Sequence, residues 1–248
     1  MTELIPPARV LVLLPTYNEA DNLEPLAEAL YALGIGGLQL LVVDDQSPDG
    51  TAQRARRLKE RFPGLRLIER SGPPGRGLAG KEGFVYALER PEVEALVEMD
   101  ADFSHQPRHV PQLLAALKGA DMAVGSRRAA GGHDRDRVWA RQVLTFLANA
   151  YARVLLGLPV LDTNSGFRAY TRKALAAIEP ATLRSRGPSI VHEVLYRAAR
   201  ANLKIVELPI EFLDRKTGAS KLTLARLAAG YFWILRLSLD RLRRRGKP

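Results

Sequence analysis

The chain has no cysteine, which excludes disulfides, a thiol nucleophile and thiolate-bound metals together. Any metal must sit on oxygen or imidazole. Aromatic residues make up 6% of the chain, few for the base stacking used by nucleic-acid readers. No zinc-finger, helix-turn-helix or RNP-type pattern occurs, so nucleic acid is not an expected partner. Acidic residues are scarce, 27 against 37 basic ones for a formal net charge of +10, which by itself points equally to nucleic acid, an anionic membrane or a phosphorylated substrate. Long hydrophobic runs are missing too. Residues 10–14 are apolar but soon followed by acidic residues, unlike a signal peptide, so a cytoplasmic location is expected. Residues 222–242 are long enough for a membrane span but are interrupted by Arg226, Arg236, Asp240 and Arg241. Each such charge costs roughly 2.5–3.5 kcal/mol near a bilayer centre, so no span is expected. With 46% hydrophobic and 26% charged residues among 248, the chain suits one large globular domain, or one domain with an extension.

Up to about residue 125, short apolar runs alternate with longer segments of helical period. The runs are RVLVLLP, LQLLVVDD, LRLIER, ALVEMD and DMAVGS; NLEPLAEALYAL and TAQRARRLKERF lie between them. This alternation predicts an α/β fold with a mainly parallel sheet. Helices are expected near 109–117, 138–156 and 189–201, a turn at DTNSGFRAY, and a strand at KIVELPIEF. Three runs end in polar clusters: Pro15 to Glu19, Asp44-Asp45, and Asp100-Ala101-Asp102. Ligands of open α/β sheets bind outside the carboxyl ends of the strands, so these clusters are expected to converge on one site.

Asp100 and Asp102, two apart after an apolar run, point to one side if the backbone is extended. Such a pair suits a hard divalent cation shared with substrate phosphates; the bland alternative makes Asp102 a cap of the helix near 109–117. Ser47 to Gly50 read as a turn with Asp49 capping the next helix. That leaves Asp44 and Asp45 without a structural task and free to accept hydrogen bonds from a base or ribose. The glycine-rich stretch from Ser71 to Gly80 fits neither the Walker nor the dinucleotide pattern, and its two prolines remove amide donors. It is expected to be a loop entering a helix, which disfavours ATPase and dehydrogenase. His105 and His109 are four apart, but Pro107 between them weakens a helical metal pair; His133 and His192 stand alone.

Together these residues resemble the inverting nucleotide-sugar glycosyltransferases of family 2, with a GT-A fold, and within them the dolichol-phosphate (polyprenol-phosphate) mannose synthase group. The resemblance runs through PTYNEADNL, VVDDQSPDGT, GLAGKEG, MDADFSHQP, GSRRAAGG, SGFRAY, ELPIEF and RKTGASKL. It implies a catalytic domain over 1–221, with a nucleotide-sugar half at 1–125 and an acceptor half at 126–221. A basic, amphipathic helix is expected at 222–248, either lying at a membrane interface or packing its apolar face on the core with a solvated basic tail. It implies donor contacts from Pro15, Tyr17, Glu19, Val43, Asp44, Asp45, Lys81, Asp100, Ala101, Asp102 and Gln106, with Gln106 or His105 near the sugar. Asp100 and Asp102 would hold Mg²⁺ or Mn²⁺. Arg127, Arg141, Arg168, Arg215 and Lys221 would take the acceptor phosphate, as Arg forks and Lys point charges suit phosphate oxygens. Asp102, Arg127 and Lys221 would be catalytic. The chain departs from the pattern in a slightly short segment after Trp139 and in DFSHQP.

The implied reaction transfers mannose from GDP-mannose to a polyprenyl or dolichyl phosphate, at the cytoplasmic face of a membrane with which the protein associates peripherally. Transfer of glucose or N-acetylglucosamine from a UDP-sugar is the alternative, and a basic nucleic-acid-binding protein the distant one.

Overall fold

The apolar runs become strands buried on both faces, and their alternation sets two cores. The structure, a computed structural model, describes residues 9–135, 139–213 and 230–239. In chain order come β1 (Val10–Thr16), α1 (Ala20–Tyr31), β2 (Leu38–Asp44), α2 (Thr51–Arg61), β3 (Leu65–Glu69), α3 (Arg76–Leu88), β4 (Ala95–Glu98), α4 (Val110–Ala116) and β5 (Met122–Ser126). Next are β6 (His133–Arg135), α5 (Trp139–Leu156), β7 (Arg168–Thr171), α6 (Arg172–Ile178), α7 (Ile190–Arg200), β8 (Ile205–Pro209) and β9 (Glu211–Leu213). Residues 230–239 are helical.

Seven strands form one sheet in the order β3-β2-β1-β4-β7-β5-β8, parallel except for β7, which is antiparallel to both neighbours. This is the mainly parallel α/β sheet expected. Because side chains alternate, Leu11, Leu13, Leu41 and Val43 face α3, α5, α6 and α7, while Val12, Leu14, Leu40 and Val42 face α1, α2 and α4. Helices on both faces explain why these strands read as nearly unbroken apolar runs. On α1 the packed residues Leu23, Leu26, Ala27 and Leu30 recur at three- and four-residue steps, the helical stripe.

DTNSGFRAY is not wholly the turn expected: its end is β7, inserted between β4 and β5, so the sheet runs unbroken across residue 125. β6 and β9 form a separate two-stranded ribbon, tied to the segment after β4 by a bridge from His105 to Phe212 and by the Leu213 amide on the Ser104 carbonyl. The helix at 230–239 lays Ile234 and Leu237 into the core cluster on the α5 and α7 side. No helix among the described residues is long and apolar enough to cross a membrane.

Candidate active site

β2, β1 and β4 are adjacent and parallel, so the polar clusters at their carboxyl ends share one edge of the sheet, as expected. Each of the three loops also holds a non-glycine residue at positive φ: Asn18 at 62°, Gln46 at 60° and Phe103 at 59°. That conformation is disfavoured for side-chain-bearing residues, and such strain concentrates at functional sites. Cross-links hold it in place here. The Asn18 amide donates to Ser47 Oγ and the Glu19 amide to Thr51 Oγ1, both at 2.9 Å.

Asp49 has the structural task expected, taking the Thr51 amide (3.0 Å) and hydroxyl (2.6 Å) on one oxygen and the Ala20 amide (3.0 Å) on the other. Burial would raise its pKa, but the Thr51 hydroxyl and these amides outweigh burial and hold it below the usual range. The structure corrects the expectation that Asp44 and Asp45 have no such task. Asp44 Oδ1 accepts the Thr16 hydroxyl at 3.0 Å and the Ser47 hydroxyl at 2.6 Å, and Oδ2 the Ser47 amide at 3.0 Å. It therefore clasps the β1 and β2 ends together. Asp45 pairs with Arg70 and accepts the Gly75 amide at 2.5 Å.

A second correction concerns Asp100 and Asp102. β4 ends at Glu98, and both acids lie beyond it in a bend, so strand alternation does not decide which way they point. Asp102 does not cap α4 either. Its Oδ1 accepts the Ser104 amide at 3.0 Å and hydroxyl at 2.6 Å, closing a turn within its own loop. Asp100 accepts from Arg76 Nη2 at 3.0 Å, and Arg76 Nη1 reaches Glu98 at 3.3 Å. Glu98 is buried and takes the Tyr170 hydroxyl at 3.2 Å. Burial would lower the Arg76 pKa, but Asp100 and then Glu98 outweigh it and raise it; burial raises that of Glu98 against the pull of Arg76.

His105 is buried, accepts the Asp100 amide on Nδ1 at 3.0 Å and stacks on Phe167 with centroids 5.0 Å apart. Its burial lowers its pKa, which leaves a neutral ring with its proton on Nε2. His109 instead accepts the Glu211 amide on Nε2 at 3.2 Å, so the two histidines are not a metal pair. Among the described residues no three His, Cys, Asp or Glu gather as a metal cage. A hard cation that draws its other ligands from phosphates and water needs few protein oxygens, and Asp100 and Asp102 offer carboxylates two residues apart in the loop after β4.

Tyr17 is exposed and Glu19 accepts from Asn22 Nδ2 at 2.8 Å at the mouth of this edge. Pro15, next to last in β1, lies beside Val43, which is packed in the core, and Ala101 is buried between the two acids. Gln106 turns back to the Phe103 carbonyl. Lys81, on α3, donates to the Leu183 carbonyl at 3.4 Å, so its ammonium is directed to the 180–183 segment.

Of the basic set, Arg127 is buried and held by Asp162 through Nε and Nη2, both at 2.7 Å. Arg168 is a correction. It is wholly buried, with Nη1 on the Val191 carbonyl at 2.6 Å and Nη2 on that of Thr163 at 3.2 Å. Its guanidinium braces β7 against α7 and is closed off from the surface where an acceptor would arrive. Arg141 falls in α5, its side chain outside the described residues, as are Arg215 and Lys221 altogether. The residues that sequence reasoning passed over are Arg76, Thr16, Ser104 and Tyr170. Arg76 alone left a signal, a lone cation inside the glycine-rich stretch.

Residues 11–178 match the family described as Glycosyl transferase family 2. Undecaprenyl-phosphate mannosyltransferase of Micrococcus luteus is 39% identical over 215 residues, 87% of this chain and 88% of that protein. Polyprenol monophosphomannose synthase of Mycolicibacterium smegmatis is 39% identical over 244 residues, 96% of this chain and 91% of that one. Dolichol-phosphate mannosyltransferase of Pyrococcus furiosus is 34% identical over 86% of this chain and 59% of its own. Among solved structures, glucosyl-3-phosphoglycerate synthase from Mycobacterium tuberculosis, with Mn²⁺, uridine diphosphate and glucosyl-3-phosphoglycerate, shares the fold. Its TM-score is 0.65 at 24% identity, over 94% of this chain and 80% of that one. The chain belongs to glycosyl transferase family 2 and is a glycosyltransferase of the GT-A fold.

Proposed function

We propose that the protein transfers mannose from GDP-mannose to a polyprenyl phosphate, with inversion at the anomeric carbon and with Mg²⁺ or Mn²⁺ on Asp100 and Asp102. The observation that carries this is the meeting of the Asp100–Asp102 loop with the β1 and β2 loops at one sheet edge, in a chain 39% identical to two polyprenyl-phosphate mannosyltransferases. A phosphate monoester has its second pKa near about 6, so the attacking oxygen is already largely anionic at neutral pH and needs no base. This accords with neutral, enclosed His105. The main electrostatic task lies with the departing diphosphate. When bound, the cation supplies charge stabilisation to that diphosphate. Tyr17, Glu19, Asp44 and Asp45 form or brace the nucleoside side, Asp100 and Asp102 the diphosphate side. Arg141, Arg215 and Lys221 receive the acceptor phosphate, and Arg127, buried against Asp162, braces that half of the site.

Calorimetric titration of GDP-mannose with Mn²⁺ tests this on wild type and Asp102→Ala. Metal-dependent binding that disappears in the variant is expected. Binding of UDP-glucose or UDP-N-acetylglucosamine alone would reassign the donor, and binding of none of these would sink the reading.

The lipid acceptor implies a bilayer surface, and α5 offers a face for it. Val143, Leu144, Phe146, Leu147 and Val154 are exposed along this helix, with Phe146 at 59% and Val154 at 75%. The 230–239 helix lies alongside, its Tyr231 edge-on to Tyr151 with centroids 5.3 Å apart, and it exposes Phe232, Leu235 and Leu239. One side of that helix is therefore seated in the core and the other continues the α5 face. A basic sequence from Arg241 to Lys247 follows, suited to anionic headgroups at about 1 kcal/mol per charge. Burying one Leu or Phe side chain is worth about 1.5–3 kcal/mol. Phe146→Glu with Leu147→Glu is therefore expected to weaken binding to anionic vesicles more than about tenfold without changing GDP-mannose affinity. Unchanged vesicle binding would remove α5 from the membrane face.

A further inference from the structure

Arg76 is a cation set directly into the carboxylate cluster, and the sequence patterns above give it no role. Its main chain is pinned on both sides. The Gly75 amide donates to Asp45 Oδ2 at 2.5 Å and the Gly77 amide to the Arg186 carbonyl at 3.0 Å. A Cβ at Gly75 would run into the Arg186 carbonyl, and one at Gly77 would lie 2.5 Å from the Ser185 carbonyl oxygen. From this fixed origin the guanidinium spans Glu98 and Asp100, at 3.3 and 3.0 Å. Gly166 borders this seat: a Cβ there would come within 2.7 Å of Nη2, so the guanidinium would have to shift.

We propose that Arg76 is a positioning residue that holds Asp100 ready for the divalent cation and links that carboxylate, through the Gly75 amide, to the Asp45 loop. This rests on the assignment of the cation to Asp100 and Asp102. The two carboxylates play different parts. The Glu98 side chain is 2% exposed and tied to Tyr170, so it anchors the fork, whereas that of Asp100 is 28% exposed and open to a ligand. A guanidinium engages both at a fixed separation, which the point charge of a lysine cannot reproduce. Such support orients a metal ligand, and its loss typically weakens metal affinity by about 10–100-fold.

The test is Mn²⁺ affinity by electron paramagnetic resonance in the presence of GDP, without turnover, together with KM values for donor and lipid phosphate. The proteins are wild type, Arg76→Gln, Arg76→Lys, Gly166→Ala and Asp102→Ala. Arg76→Gln is expected to raise the Mn²⁺ Kd about tenfold or more, with Arg76→Lys between it and wild type. Gly166→Ala keeps the arginine but pushes the far end of its side chain out of its seat, and is expected to shift the Kd the same way. The KM for lipid phosphate should stay within about twofold of wild type, because the change is confined to the metal side. Wild-type Mn²⁺ affinity in both Arg76→Gln and Gly166→Ala overturns the proposal. So does a change confined to the KM for lipid phosphate, which would make Arg76 an acceptor ligand. If Arg76→Gln does not fold, Arg76→Lys decides: wild-type Mn²⁺ affinity there overturns the proposal. If Asp102→Ala binds Mn²⁺ as wild type does, the cation assignment itself has failed. If affinity is lost there and kept in the other variants, only the role of Arg76 has.

Discussion

Replacing Asp162 with alanine is expected to lower the unfolding free energy by about 3–5 kcal/mol, the cost of leaving a buried charge without its partner. The Asp162 side chain is 0% exposed and that of Arg127 6%. The carboxylate receives three N–H groups from one residue: the Arg127 amide at 3.1 Å, and Nε and Nη2 at 2.7 Å. Burial would raise the Asp162 pKa, but the Arg127 charge and these hydrogen bonds more than offset it and hold it low. A depressed carboxylate stabilises the fold above its unfolded pKa, and that stability is lost as pH falls through the folded one. Glu207 fixes Asp162 in turn, accepting the amides of Leu161 at 2.7 Å and Asp162 at 2.9 Å. Arg127→Leu combined with Asp162→Ala should regain part of the loss, since removing both charges leaves none stranded. Urea unfolding of the two variants measures this. A loss under about 1 kcal/mol in Asp162→Ala would mean that water reaches Arg127 and screens it.

How far the fold could be read depended on whether a segment's partners lie nearby in the chain. The first five strands are apolar runs between helical segments; β1, β2, β4 and β5 were legible because burial on both faces leaves a mark in their own residues, and the half-buried edge strand β3 because Leu65 and Leu67 flank Arg66. β7 was not. It has four residues and begins with a buried arginine, and only its antiparallel insertion between β4 and β5 makes it a strand. Arg168 was misassigned for the same reason, because residue type suggests a phosphate ligand while the Val191 and Thr163 carbonyls that hold it are brought in by tertiary packing. The convergence of the three polar clusters followed from parallel topology alone. Their inner wiring did not, since the Thr16 hydroxyl that meets Asp44 lies 28 residues away in sequence. Arg76, 24 residues from Asp100, was hidden by its setting in a stretch legible only as a loop entering a helix.

His192→Leu is expected to flatten the acid side of the stability curve while changing little at neutral pH. His192 lies in the first turn of α7, is 7% exposed, and neither ring nitrogen has a hydrogen-bond partner among the described residues. Burial, with the Arg168 charge adding to it and Asp162 opposing, pushes its pKa down from 6.5 to about 3. The folded protein therefore keeps this ring neutral where the unfolded chain would protonate it. Between pH 6.5 and about 3 the unfolded state binds the extra proton, so stability rises with pH across that window and falls on acidification. Above pH 6.5 both states are neutral and the term vanishes. Two pH units below 6.5 it amounts to about 3 kcal/mol. An apolar side chain of similar size removes the titration and leaves no hydrogen bond broken, at a packing cost of under about 1.5 kcal/mol. Carboxylates such as Asp162 and Asp49 also weaken the fold in acid, but they are present in both proteins and cancel in the difference. Unfolding free energies measured at pH 7.5 and about pH 4.5 should therefore separate by about 3 kcal/mol more at the lower pH, in favour of the variant. Parallel curves would mean that acid opens the α7 N-terminus and lets the ring reach water before it titrates.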